Sequence, residues 1–243
     1  MKTSNIIFTL AIVLFIGMLV SYNLQLKAAY AKGDFRSPFY GYSKLEFKNF
    51  DKIHVNAANA LVVRVGAGID NAIYVKDDMT DRVMVKESAK TLMIDTENDG
   101  INDSDGPVLI VCSSLKEITT DAKEVYTWNS KTKERLKKKS AIWNSGTFVT
   151  GFNQDSLNIR VGAFTYLTLE KSNVKKVTAV VSGKEDATLN LVDSKIGSSE
   201  INVQGANHLK ILDTEILQRK EILSDSSKIT LSGRIVNQHI IKQ

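Results

Sequence analysis

The densest set of groups able to do chemistry lies in the stretch DTENDGINDSDG, from Asp95 to Gly106. Asp95, Glu97, Asp99 and Asp103 stand at offsets 1, 3, 5 and 9, with Gly100 at 6 permitting a sharp turn. Staggered carboxylates at that spacing can wrap one hard cation, so the stretch is a calcium candidate. Offset 12 is Gly106 and not glutamate, and strand-like segments flank the loop, which excludes an EF-hand. The alternative is a solvated connection held open by charge repulsion.

Two further carboxylates, Asp193 and Asp213, occupy the same place in neighbouring repeats of a pattern described below. Stacked repeats would place them one rung apart, at ~4.8 Å. Retaining glycosidases separate their carboxyl pair by ~5–5.5 Å, so hydrolysis or lysis of a polysaccharide is one reading. Against it, both residues sit in an Asp-Ser/Thr turn, where the side chain can serve the backbone. The neighbouring copy has Glu170-Lys171, which stops the acidic ladder at two, and no aromatic sugar platform follows Tyr166.

A third cluster is cationic. Lys131, Lys133, Arg135, Lys137, Lys138 and Lys139 fall within KTKERLKKKS, and Trp128 and Trp143, each opening a WNS triplet, bracket it. The matching ends suggest two strands meeting across a basic loop or a projecting hairpin. Such a patch suits anionic envelope polymer, phospholipid head groups or nucleic acid; the other reading is a solvated protrusion. Cys112 is the single cysteine, which excludes an internal disulfide, and within PVLIVCSS it is expected to face the interior as a small hydrophobe. His54, His208 and His239 are far apart in sequence. The chain has no Gly-rich phosphate loop, no Gly-x-Ser-x-Gly elbow and no His-Glu-x-x-His.

The elements that must position these groups are short strands. LTLEKSNV, LNLVDSKI, LKILDTEI and ITLSGRIV begin at Leu167, Leu189, Leu209 and Ile229. The first three copies place apolar residues at positions 1, 3 and 8 and a hydroxyl, Ser172, Ser194 or Thr214, at position 6. Positions 1 and 3 are a period-2 unit, and the polar triplet after it is a turn. A second strand set lies between the copies, at LNIRV, VTAVV, INVQG and EILSD. A lap of about 20 residues is too short for a strand-helix-strand crossover, which needs ~30 residues. The spacing therefore predicts an all-β, right-handed parallel β-helix, with like residues forming ladders around an apolar interior. The leucine-rich-repeat signature is missing. Residues 50–112 hold six less regular strand-like runs, read either as early coils or as a hairpin-rich cap.

With 243 residues, 43% hydrophobic, two prolines and a net charge of +5, the chain can bury a sizeable core. Ile6 to Val20 contains nothing more polar than Thr9 and reads as an export signal or a short anchor. Fifteen helical residues span only ~22 Å against a hydrocarbon core of ~30 Å, so retention requires the helix to continue to Leu26. The Ala29-Tyr30-Ala31 triplet resembles a processing site but lies eleven residues after Val20. The expected organisation is an export signal or anchor at 1–26, a linker at 27–44, and one β-helical domain at 45–240. That domain divides into an irregular half (45–125), a basic loop or hairpin (126–146) and regular coils (147–240).

The order FKNFDKIHVNAANALVVRVGAG, VMVKESAKTLMID, PVLIVCSSLKEITTDA resembles the auto-transporter adhesin family with the head GIN domain. Phe50, Ile53 and Val55 match its opening, Leu92 and Ile94 its middle strand, and Val108 and Ile110 its entry to the coils. The resemblance covers about residues 45 to 236. It implies a β-helical fold, export and envelope binding or adhesion, without a defined enzyme activity or site residues. The residues themselves lead to an exported, non-enzymatic envelope protein, possessing no cofactor apart from the calcium candidate, that presents repeated polar side chains to a polysaccharide or envelope protein. A carbohydrate-active enzyme using Asp193 and Asp213 and a self-assembling structural module are the alternatives. The export segment argues against nucleic acid.

Overall fold

The computed structural model describes residues 3–32, 37–96, 106–123, 125–129, 134–138, 145–183 and 185–236. The chain divides into two compact units, Met1–Tyr42 and Ser43–Gln243. The first is dominated by helix α1 (Thr3–Lys32). Its apolar stretch Ile6–Ala28 is 23 residues long with a mean hydropathy of 2.2, and none of it is buried. At ~1.5 Å per residue that stretch covers ~34 Å, long enough for a ~30 Å hydrocarbon layer. The continuation required by the sequence argument is therefore present, because SYNLQL prolongs the helix past Val20 instead of ending it.

The second unit is all-β. Among the described residues its strands are β1 (Tyr42–Leu45), β2 (Lys52–Val55), β3 (Val62–Ala67), β4 (Ala72–Lys76), β5 (Val83–Ser88), β6 (Thr91–Thr96), β7 (Val108–Cys112), β8 (Glu117–Thr120), β9 (Val125–Asn129), β10 (Glu134–Lys138) and β11 (Gly146–Thr150). They continue with β12 (Asn153–Val161), β13 (Tyr166–Glu170), β14 (Asn173–Val181), β15 (Glu185–Val192), β16 (Lys195–Val203), β17 (Ala206–Leu212), β18 (Glu215–Leu223) and β19 (Lys228–Ser232). From β11 onward consecutive strands alternate between two sheets, one ordered β1-β4-β7-β3-β11-β13-β15-β17-β19 and the other β18-β16-β14-β12-β8-β2-β6-β5. Pairing is parallel from β7 to β19 in the first and from β6 to β18 in the second.

The repeat period becomes vertical register. Leu167, Leu189, Leu209 and Ile229 pair in sequence across β13, β15, β17 and β19, and Leu169, Leu191, Ile211 and Leu231 pair beside them. Leu167, Leu169, Leu189, Leu191, Leu209 and Ile211 are buried, whereas at the last strand Leu231 is half-buried and Ile229 exposed. The eight-stranded sheet has its own inner column, Leu92, Ile53, Ile118, Ile159, Ala179 and Ile201. Burying one such aliphatic side chain stabilises the fold by about 1.5–3 kcal/mol. Beginning at position 8, Val174 and Ile196 face inward, but the next two residues both face out or sideways before Val177 and Ser199 turn in again. Each of these nine-residue strands thus turns a corner after its second residue.

The first half joins the same two sheets less regularly. β2–β3 and β6–β7 join the parallel stacks, but the later pair lies outboard of the earlier one. β4 pairs antiparallel with β7, and β5 antiparallel with β6. β5 ends the eight-stranded sheet, and in the nine-stranded sheet β1 lies beyond β4 at the edge. β9 and β10 form a separate antiparallel ribbon inserted between β8 and β11.

Candidate binding surface

The repeat hydroxyls do not face outward. Ser172, Ser194 and Thr214 are buried and form a chain of turn contacts. Each donates to the carbonyl two residues earlier: Ser172 to Glu170 at 2.9 Å, Ser194 to Val192 at 2.9 Å, Thr214 to Leu212 at 3.1 Å. Each also accepts the backbone N–H from the lap before, Phe152, Ser172 and Ser194 respectively, at 3.2, 3.2 and 3.3 Å. These groups are fully used in stitching laps together and are not available to a partner.

Asp193 and Asp213 belong to the same turns. Their φ angles are 44° and 47°, beside 48° at Lys171, 78° at Gly151 and 72° at Gly233. The position demands the left-handed region, which Gly adopts freely and Asp tolerates better than most residues. The register of β15 with β17 places the two carboxylates one rung apart. Asp193 accepts from Arg234 at 2.6 Å. Gly151 also reveals a copy that the spacing argument missed: TFVTGFNQ, in which Thr147 pairs with Leu167 and Val149 with Leu169. Thr at position 1 and Phe152 at the hydroxyl position hid it, although Gly151 at the turn was a usable signal.

Of the calcium candidates only Asp95 lies within the described residues. It ends β6, and one oxygen lies 3.0 Å from the Lys123 ammonium and accepts the Thr96 N–H at 2.7 Å. Glu97, Asp99 and Asp103 lie outside the described residues. Among the described residues no group of three or more His, Cys, Asp or Glu side chains is placed to hold a metal ion. In the basic segment, Arg135, Lys137 and Lys138 fall on β10, so this stretch is itself strand and not only a loop. Trp128 pairs with Arg135 in register. Lys131, Lys133, Lys139 and Trp143 lie outside the described residues. Cys112 is fully buried, and burial pushes its thiol up to about 12.

What the strands do expose is the outer face of the eight-stranded sheet. One ladder runs Lys52, Glu117, Asn158, Thr178, Glu200, Lys220, and a second runs His54, Thr119, Arg160, Val180, Asn202. Period 2 sets their direction, since Ile118, Leu157, Ile159, Val177, Ala179, Ile201 and Val203 between them all point inward. Ion pairs knit the ladders lengthwise: Arg160 to Glu117 at 3.2 Å, Lys220 to Glu200 at 2.7 Å, and Lys52 to Glu117 at 4.0 Å. The Lys220 hydrogen bond holds the Glu200 carboxyl below the usual carboxylate range. His54 meets Asp121 at 2.8 Å on the sheet's flank. Asn158 and Arg160 are exposed, while Thr178 and Asn202 are half-buried.

The nine-stranded sheet's outer ladder is less polar and more closed. Arg64 stacks on Phe148 at 5.0 Å, Asn190 donates to Thr168 at 3.1 Å, and His208 contacts Thr230 at 2.8 Å. Burial, followed by Lys210 and Lys228, lowers the His208 pKa. The arrangement with most accessible donors and acceptors at a repeated spacing is therefore the outer face of the eight-stranded sheet. It offers hydroxyl, amide, carboxylate and cationic groups at ~4.8 Å intervals.

No family model and no curated protein matches the chain. It is similar to solved structures of low identity. One, described as a "putative adhesin" from Bacteroides fragilis, is 13% identical with a TM-score of 0.35, covering 78% of this chain and 95% of that one. A second protein of the same description, from Parabacteroides distasonis, is 10% identical with a TM-score of 0.35, covering 77% and 95%. A third, described as a "putative lipid binding protein" from the same species, is 12% identical with a TM-score of 0.29, covering 77% and 95%.

Proposed function

We propose that this is an exported protein of the cell envelope, anchored by residues 1–26, whose residues 45–240 form one right-handed parallel β-helix. It binds an extended polysaccharide or an envelope protein without catalysis. The supporting observation is the continuous register of the outer ladders, from Lys52 to Lys220 and from His54 to Asn202. A partner with its own repeat can meet a polar group on each rung of the first ladder at one spacing, so many weak contacts add without a deep pocket. Asp193 and Asp213 support an enzyme less, since the left-handed turn accounts for their residue type and Asp193 is engaged by Arg234.

The test is a binding screen of the full chain against envelope polysaccharides and envelope fractions, repeated with Asn158→Ala/Arg160→Ala and with Asp193→Asn. The reading expects retention on one polymer class, weakened at least ~10-fold by the ladder variant and unchanged by Asp193→Asn. Turnover of a polysaccharide that disappears in Asp193→Asn would replace this reading with the enzyme. Equal retention by wild type and ladder variant would remove the sheet face from consideration.

A further inference from the structure

Two columns of side chains run along the outer face of the nine-stranded sheet. One holds Tyr166, Thr188, His208 and Lys228, and the other Arg64, Phe148, Thr168, Asn190, Lys210 and Thr230. Leu167, Leu189 and Leu209 alternate with them along the strands and are buried, so period 2 turns both columns outward. Neither column contains an acidic residue. Among the described residues no carboxylate pairs with Arg64, Lys210 or Lys228. Even with Glu170 in the next column, the face keeps an excess of cations. The eight-stranded sheet is arranged differently, because there Lys52, Arg160 and Lys220 are all engaged by Glu117 or Glu200. Burial, and after it the charges of Lys210 and Lys228, lower the His208 pKa, so both ammonium groups act on this surface.

Arg64 and Lys210 stand four rungs apart, ~19 Å, a span that one small anion cannot bridge and a chain of spaced anions can. Aromatic residues lie beside the first cation. Arg64 sits 5.0 Å from the centre of the Phe148 ring, and Tyr166 is exposed. A Cβ placed on Gly146 would lie 3.5 Å from Tyr166 Cβ and 3.8 Å from the Phe148 ring, so both aromatic residues flank a position that carries no side chain. The apolar C–H face of a sugar ring packs on such a surface, and Thr168, Asn190 and Thr230 supply donors and acceptors for its hydroxyls. A sugar-free polyanion would satisfy the cations but would leave the aromatic residues unused. We propose that the outer face of the nine-stranded sheet, from Arg64 to Lys228, binds an acidic polysaccharide. Its uronate carboxylates meet Arg64, Lys210 and Lys228, and its sugar rings pack on Phe148 and Tyr166. The site is separate from the eight-stranded ladders and shares with the function proposed above only the exported location of the β-unit.

The test titrates polygalacturonate, a pure uronate chain, into the full chain held in neutral detergent. Dextran serves as the uncharged control and polyphosphate as the sugar-free polyanion. The expected result is saturable binding of polygalacturonate and none of dextran, with the binding lost when salt brings the Debye length to ~3 Å. Lys210→Gln/Lys228→Gln and Tyr166→Ser should each weaken it about 10-fold at unchanged circular dichroism, and Arg64→Gln repeats the charge test at the other end of the face. Absence of polygalacturonate binding overturns the proposal, and so does binding that the charge variants leave unchanged. Polyphosphate bound as tightly as polygalacturonate, and equally well by Tyr166→Ser, assigns the face to polyanions in general and overturns the sugar class. Binding that is lost in Asn158→Ala/Arg160→Ala but kept in Lys210→Gln/Lys228→Gln moves the polymer to the eight-stranded face. That outcome sinks this inference and leaves the function proposed above standing.

Discussion

At the scale of single residues, the turn hydroxyls and the buried thiol have the clearest consequences. Ser194 Oγ both donates to Val192 and accepts from the Ser172 N–H. Ser194→Ala strands that buried N–H and lowers stability by about 1–3 kcal/mol, whereas Ser194→Thr, the residue found at 214, stays within about 1 kcal/mol. Urea midpoints of the two variants test this. Cys112 is held protonated by burial, its pKa raised from 9.0 to about 12. A raised folded value means the stabilisation is complete below the unfolded pKa and is lost as pH climbs from 9 towards 12. The difference in stability between wild type and Cys112→Ala should therefore be flat to pH 9 and then change by a few kcal/mol, on the order of 1.4 per unit. A difference that stays flat across that window contradicts a buried neutral thiol. The same burial predicts no reaction with thiol reagents at pH 7–8 except through unfolding.

At the scale of elements, the legible part of the fold was the part with a period. Leu167, Leu189 and Leu209 announce themselves at 20 and 22 residue intervals, and the structure pairs them. The outboard placement of β6–β7 relative to β2–β3 has no such marker. It depends on which sheet edge is open when each strand arrives, and local alternation carries no record of that. The outward ladders were hidden for another reason: Asn158, Thr178, Glu200 and Lys220 share a rung position but no common side-chain type, so no motif betrays them. The last strand of the eight-stranded sheet, β18, shows how its inner columns end. The inner column Ile159, Ala179, Ile201 finishes on Glu221, and the column Leu157, Val177, Ser199 finishes on Arg219. Arg219 and Glu221 pair at 2.7 Å, both mostly buried. Inward charges on an edge strand are a device that blocks edge-to-edge addition. This counts against end-to-end self-assembly. Arg219→Val with Glu221→Ile, the residue types of earlier laps, should raise the melting temperature, since a buried pair is often less stabilising than well-packed aliphatics, by about 1–4 kcal/mol. It should also convert the chain to concentration-dependent oligomers in sedimentation. A variant that remains as monodisperse as wild type shows that the edge is guarded by something else.

At the scale of the whole molecule, the decisive quantity is the length of α1. An export signal that is removed needs only a short apolar core, and Ile6–Val20 alone would suit it. The helix does not stop there: it runs to Lys32 and carries an apolar stretch of 23 residues. Ala29-Tyr30-Ala31 consequently falls inside continuous helix, where the backbone is hydrogen-bonded to itself and not extended for cleavage. Gln25 and Lys27 then lie near one end of the stretch, where a long polar side chain can reach the interface. The anchored reading predicts retention. The mature chain should begin at its first residues, sediment with membranes, resist extraction by high salt and alkaline carbonate, and dissolve in detergent. A mature N-terminus at Lys32 would release the body from the bilayer and remove the tether. Shortening the apolar stretch by deleting residues 12–17, to about 26 Å, leaves it below the hydrocarbon thickness and should weaken membrane retention without changing the β-unit's unfolding midpoint.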